Sequence, residues 1–256
     1  MNLKERIAAG QCLIGVCFYS HSPEVVEFTS GGMDWLWWEA QHDPCDWQSI
    51  VHGVRAAYAL QIPMLIRTWT HNGDTIERLL DIGAEGIIVP TVDTPQQAQE
   101  IVARCYYPPV GRRSFGAVRP QCVEPDTDEW NRRTVTIMMV ETPESLRNAE
   151  AIASVPGVDG LLMGARDLTL RLGRTWDPKT GFAVVAGEMD QLVKACQRAG
   201  KAAGNIAMTP EDITARIKEG YRFICAGTDV DHLKLSFLNT RRAFDAAARQ
   251  LGVATR

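Results

Sequence analysis

Val135–Ser145 reads VTIMMVETPES. Its first six residues are apolar or β-branched, the composition of a strand buried on both faces. The acid Glu141 follows, and Thr142-Pro143 then sets a capping hydroxyl ahead of a proline at a first helical position. The stretch is one strand running into one helix, the unit from which parallel sheets are built.

Runs of the same kind recur on both sides of it. Cys12–Tyr19, Trp35–Glu39, Pro63–Arg67 and Gly86–Val89 precede it, and Gly160–Met163, Ala202–Ile206 and Phe223–Ala226 follow, with the quoted strand itself taken as Val135–Glu141. Between them lie amphipathic segments at Asp74–Asp81, Pro95–Cys105, Pro143–Ala153, Gly187–Arg198 and Pro210–Glu219. Thr209-Pro210 repeats the helix-start signal, and Gly83 and Gly200 mark helix ends. Eight strands alternating with helices predict a single (β/α)8 TIM barrel over residues 1–256, with an extended C-terminal helix within Val230–Gly252. The 256 residues match the roughly 250 typical of one such barrel. No GxGxxG or Walker-type glycine loop follows the first strand, which argues against a nucleotide site.

The formal net charge is −4, and Lys and Arg are scattered, so nucleic acid and anionic membrane surfaces are not the expected partners. The start, MNLKERIAAG, has no apolar signal region. Apolar stretches of about 6 to 8 residues fall far short of the roughly 20 that span a bilayer. A soluble, cytoplasmic protein is expected. The seven cysteines show no CxxC spacing. Cys12, Cys17, Cys105, Cys196 and Cys225 fall in apolar patterns, and reduced thiols are expected throughout.

Barrel enzymes gather their chemistry at the C-terminal ends of the strands. Strand two ends in Glu39-Ala40-Gln41-His42, strand three in Arg67 and strand five in Glu141; the loop after strand six holds Asp167. Each has a bland alternative. Glu141 would favour the start of the helix after it, Asp167 would cap the segment Leu168–Leu172, Arg67 would pair with a neighbouring acid, and His42 would sit exposed in a polar loop. Four such residues on one rim favour a site. Two carboxylates without nearby Cys suit a hard divalent cation, Mg²⁺ or Mn²⁺, with Co²⁺ as a further candidate. A 2-oxo acid would fill open positions on such an ion, and Arg67 would stabilise charge developing on its keto oxygen. A lysine Schiff base is the rival chemistry. None of Lys4, Lys179, Lys194, Lys201, Lys218 and Lys234 falls within a predicted strand or at its C-terminal end.

Six segments, in order, resemble the HpcH/HpaI aldolase family, the metal-dependent pyruvate aldolases of the phosphoenolpyruvate/pyruvate-binding barrels. They are FTSGGMDWLWWEAQH, the arginine of MLIRTW, RLLDIGAEGIIVPTV, RCYYPPVGRRSFG, MMVETPES and VDGLLMGARDL. The resemblance implies that Glu141 and Asp167 hold the metal, that Arg67 contacts the pyruvate keto oxygen and that His42 belongs to the acid/base machinery. It further implies that the backbone at Gly164, Ala165, Arg166 and Asp167 cradles the substrate carboxylate, and that the protein is a homo-oligomer, a hexamer with exchanged C-terminal helices. This chain departs from the family pattern at Glu39 (usually Asp), Gln41 (usually Glu), Met139 (commonly Gln) and Ala165-Arg166. Glu39, three residues before His42, is expected to orient it. Arg166 is expected to face solvent, and the WLWW cluster to be mostly core.

The expected reaction is reversible cleavage of a 4-hydroxy-2-oxo acid into pyruvate, or hydroxypyruvate, and an aldehyde. The alternatives are an acyl-CoA lyase of the citrate-lyase-like branch and a non-catalytic barrel that binds a 2-oxo acid.

Overall fold

The structure, a computed structural model, describes residues 1–177 and 180–254. Lys179 lies outside the described residues. Eight parallel strands close on themselves in chain order. They are β1 (Leu13–Phe18), β2 (Trp35–Glu39), β3 (Met64–Arg67), β4 (Gly86–Val89), β5 (Val135–Val140), β6 (Gly160–Met163), β7 (Ala202–Ile206) and β8 (Phe223–Thr228). Helix α1 (Leu3–Ala8) precedes the barrel, and α2 (Pro23–Thr29), α3 (Trp47–Ala59), α4 (Gly73–Asp81) and α5 (Pro95–Cys105) follow the first four strands. Two short helices, α6 (Val118–Val123) and α7 (Thr127–Arg133), extend the β4–β5 connection. Then come α8 (Pro143–Arg147), α9 (Ala149–Ala153), α10 (Ala165–Arg171), α11 (Ala186–Ala199), α12 (Pro210–Glu219) and α13 (Asp229–Gln250). This is the expected (β/α)8 barrel.

Thr142 and Thr209 cap α8 and α12 as their sequence predicts, and Gly200 ends α11 in the left-handed conformation (φ 67°). Two expectations need correction. Pro143–Ala153 is not one helix. The chain breaks at Asn148 (φ −92°, ψ 2°), whose side-chain amide donates to the Asp93 carbonyl at 2.7 Å. Cys12 lies ahead of β1 and is exposed, whereas Cys17, Cys105, Cys196 and Cys225 are buried; all seven thiols are free.

Alternate strand residues point inward and fill the barrel. Trp35, Trp37, Leu65, Ile137, Leu162 and Phe223 belong to that interior cluster. Trp35 stacks on Phe223 with ring centroids 3.9 Å apart. The stack requires Gly15, where a Cβ would lie 2.4 Å from the indole. Leu3 and Ile7 of α1 join the same cluster at the N-terminal mouth. There Lys4 pairs with Asp159 at 2.9 Å and donates to the Tyr106 hydroxyl and the Thr134 carbonyl. One mouth is thus stoppered by apolar packing. The buried charged residues Glu39, Arg67, Glu141 and Asp229 stand at the other.

Among the described residues no helix is long and apolar enough to cross a membrane. The 22-residue α13 buries only Asp229 and Ala248, and its Leu233, Leu235, Phe237, Leu238 and Phe244 are exposed.

Candidate active site

Parallel pairing sets Glu39, at the end of β2, beside Arg67, at the end of β3. Both are buried, and both guanidinium nitrogens on one edge, Nε and Nη2, lie 2.6 Å from Glu39 Oε2. The Arg67 guanidinium rests over the Trp37 ring at 5.2 Å, and Nη1 lies 3.8 Å from the Met139 sulfur. Burial pulls the Arg67 pKa down, but the charge and hydrogen bond of Glu39 outweigh it and hold the pKa above the ordinary value. The bland reading of Arg67 as the partner of a neighbouring acid is therefore true. It does not compete with function, because the remaining edge of the guanidinium is not engaged by a strong acceptor.

The same Glu39 shapes the next turn. Its Oε1 accepts the backbone N–H groups of Gln41 (2.7 Å) and His42 (3.0 Å). The expected contact between Glu39 and the His42 ring is absent. The ring has no hydrogen bond among the described residues, and His42 is exposed on the rim. The Glu39 carbonyl is approached instead by His21 Nε2 at 2.6 Å. The Gln41 side-chain oxygen is buried without a partner among the described residues.

On the neighbouring wall, β5 and β6 pair Val140 with Met163, which sets Glu141 opposite Gly164. A Cβ at Gly164 would fall 2.6 Å from both Cβ and Oε2 of Glu141, so the buried carboxylate leans across the glycine. Oε1 is anchored by the Thr91 hydroxyl at 2.6 Å, and the Glu141 N–H donates to Ser145 Oγ. The hydroxyl of Thr142 caps α8, and the Glu141 carboxylate is turned elsewhere.

Gly164 is also the N-cap of α10, with no side chain capping that helix. Asp167 is its third residue and not its cap, which removes the bland reading of that acid. It is half-buried and has no hydrogen bond or ion pair among the described residues. The first amides of α10 have no intrahelical acceptor and suit an anion. Ala165 is buried, while Arg166 is exposed, as expected, and lies over the Trp176 ring at 5.6 Å.

The rim is completed where β8 returns to β1. Asp229 accepts the amides of Tyr19 and Ser20 and the hydroxyl of Ser20. Deeper, Cys17 and Cys225 line the interior; burial raises both, Cys225 to about 12, so neither is a thiolate nucleophile near neutral pH. None of the described lysines lies on a strand.

Sequence reasoning missed Thr91 and His21. Thr91 stands two residues past β4 with φ 51°, a left-handed conformation rare for a β-branched residue. Its position just past a strand end is the signal it shares with Glu141; only its neutral side chain set it apart from the acids.

The set is restricted to oxygen donors. Glu141 and Asp167 offer carboxylate oxygens, and no group of three or more His, Cys, Asp or Glu able to hold a metal occurs among the described residues. Two acids fit Mg²⁺ or Mn²⁺, which keep several waters, and do not fit a four-coordinate zinc centre.

Comparison with known proteins agrees with this architecture. The family model described as HpcH/HpaI aldolase/citrate lyase matches residues 16–235. A 2-keto-3-deoxy-L-rhamnonate aldolase from Klebsiella pneumoniae is 33% identical over 232 residues, covering 88% of this chain and 86% of the relative. A hydroxypyruvate/pyruvate aldolase from Cupriavidus necator is 29% identical, covering 96% and 92%. The crystal structure of an HpcH/HpaI aldolase from Desulfitobacterium hafniense superposes with a TM-score of 0.86 at 25% identity, covering 95% of this chain and 96% of that one. With its barrel and most of its length matched, the chain belongs to the HpcH/HpaI aldolase/citrate lyase family.

Proposed function

We propose that the protein is a divalent-metal-dependent aldolase that reversibly cleaves 4-hydroxy-2-oxo acids into pyruvate, or hydroxypyruvate, and an aldehyde. The observation that carries the reading is the pair Glu141 and Asp167. One acid is fixed by Thr91 with its second oxygen over Gly164, and the other is unpartnered three residues further on. Glu141 and Asp167 would hold Mg²⁺, Mn²⁺ or Co²⁺, which when bound would polarise the 2-oxo group.

The chain's own groups supply the rest. The uncapped amides at Ala165 and Arg166 receive the substrate carboxylate. The free edge of Arg67 faces the keto oxygen and stabilises the negative charge that develops there. His42 takes the C4-hydroxyl proton as the C3–C4 bond breaks. The electron pair passes to the 2-oxo group, the aldehyde leaves, and protonation at C3 gives the 2-oxo acid. Histidine suits this step because its ordinary pKa lies near working pH. The exposure of His42 on the rim supports a role beside the variable half of the substrate.

The apolar face of α13 supports a homo-oligomer in which this helix docks on a second copy, the hexamer of the family resemblance. The test of the reaction is release of pyruvate from a 4-hydroxy-2-oxo acid with Mg²⁺ or Mn²⁺, repeated after EDTA. Loss of turnover on chelation and its return with metal are expected. Full activity in chelator ends the metal reading.

A further inference from the structure

We infer that Glu39 is a positioning residue for Arg67, and not the partner of the His42 imidazole: it fixes the plane of the guanidinium and ties it to the turn that carries His42. The inference rests on the aldolase reading for its kinetic consequence and on geometry alone for its structural one.

Valence limits what Glu39 can bind. A carboxylate offers about four lone-pair sites. At Glu39 the Gln41 and His42 amides take Oε1, and Arg67 Nε and Nη2 crowd Oε2 at 2.6 Å. Glu39 has no measurable exposure, so water does not compete for these sites. An imidazole N–H would have to displace one of the four. The extra methylene of Glu relative to Asp lets the carboxylate reach Arg67 while its Oε1 still closes the turn.

The guanidinium gives the complementary half. It is buried against the Trp37 ring, where an unpaired cation is costly, and Glu39 is the carboxylate that pairs with it. Because its five donors sit in a rigid fork, fixing the Nε–Nη2 edge on Glu39 fixes where Nη1 points. Among the described residues Nη1 meets only the Met139 sulfur at 3.8 Å, a weak acceptor. Its hydrogens stay available to a substrate oxygen. A glutamine or carboxylate at position 139 would compete for them.

The test is a pair of double-mutant cycles on the full chain, Glu39→Gln with Arg67→Met and Glu39→Gln with His42→Ala. Each cycle is read in the urea unfolding midpoint and in kcat/KM for a 4-hydroxy-2-oxo acid. In unfolding, the Glu39–Arg67 pair is expected to be strongly non-additive and the Glu39–His42 pair additive. In turnover, Glu39→Gln is expected to lower kcat/KM about 10²–10³-fold, the scale of losing one stabilising donor. Arg67→Met added to it should change little further, whereas His42→Ala should multiply the loss. The acid-limb midpoint of the pH–rate profile should stay in place in Glu39→Gln. A shifted midpoint, or additivity with Arg67 and saturation with His42, overturns the inference. Wild-type protein that turns over no such substrate refutes the aldolase reading, and the unfolding cycle then decides the clamp on its own.

Discussion

The Glu141 carboxylate occupies the space that a side chain on Gly164 would need, with Oε2 2.6 Å from the position of the missing Cβ. Two adjacent strand ends are thereby locked. The glycine is required by the acid, and its backbone angles are otherwise open to any residue (φ −90°). Gly164→Ala is expected to push the carboxylate aside and to overpack the junction by about 1–3 kcal/mol. A displacement of ~1 Å at such a site lowers turnover about 10²-fold. Pyruvate release and the thermal midpoint, measured together, check both parts; an unchanged kcat with unchanged metal activation would refute the arrangement.

Thr91 holds the other oxygen of the same carboxylate at 2.6 Å. Thr91→Val keeps the shape and removes the donor, whereas Thr91→Ser keeps the hydroxyl. Partners that orient a metal ligand change metal affinity about 10–100-fold when lost. The valine variant is therefore expected to need that much more Mn²⁺ or Mg²⁺ for half-maximal activity, and the serine variant close to the wild-type amount. Metal titrations of the three proteins measure it.

The barrel was legible because strands buried on both faces read as continuous apolar runs, and all eight lie where those runs fall. The candidate site was legible in its positions along the chain. Glu39, Arg67, Glu141 and Asp167 stand at or just past strand ends, a position that spacing alone reveals. Which acid faces which cation was not. Glu39 is three residues from His42 in the chain but is set beside Arg67 by strand register, and pairing between strands carries no signature in a single sequence. The break at Asn148 escaped for a similar reason, since its cause is a hydrogen bond to Asp93, 55 residues away.

Lys4 ties α1 to the barrel's N-terminal end through Asp159, whose pKa is raised by burial and only partly brought back by the lysine. A carboxyl whose folded pKa exceeds its unfolded value favours folding below the unfolded pKa, and that contribution is lost as pH rises through the folded one. Lys4→Met should deepen this loss, because the charged carboxylate would be left buried without its cation. For a pair between the ~0–1 kcal/mol of a surface bridge and the ~3–5 kcal/mol of breaking a buried one, we expect about 2 kcal/mol at pH 7. The deficit should shrink as the pH is lowered through the Asp159 titration. Urea unfolding of both proteins across that range tests the sign as well as the size.

The exposed apolar face of α13 predicts self-association. Phe237 is 73% and Phe244 58% exposed on a helix that buries only two of its 22 residues. A lone helix of that composition gains little from its own propensity, and most helical stability comes from packing an apolar face. Phe237 and Phe244 are seven residues apart, two turns along the helix, and so fall on one face. Placing a charge at both positions, Phe237→Asp with Phe244→Asp, would bury two carboxylates in any interface built there. A stable interface removes about 1,200–2,000 Å² from water, and unpaired buried charge at its centre abolishes it. Sedimentation velocity is expected to show an assembly for the wild type and a 28.3 kDa species for the double variant, with the far-ultraviolet helical signal reduced only by fraying of α13. A wild type that sediments as a monomer at micromolar concentration would show that α13 has no partner copy.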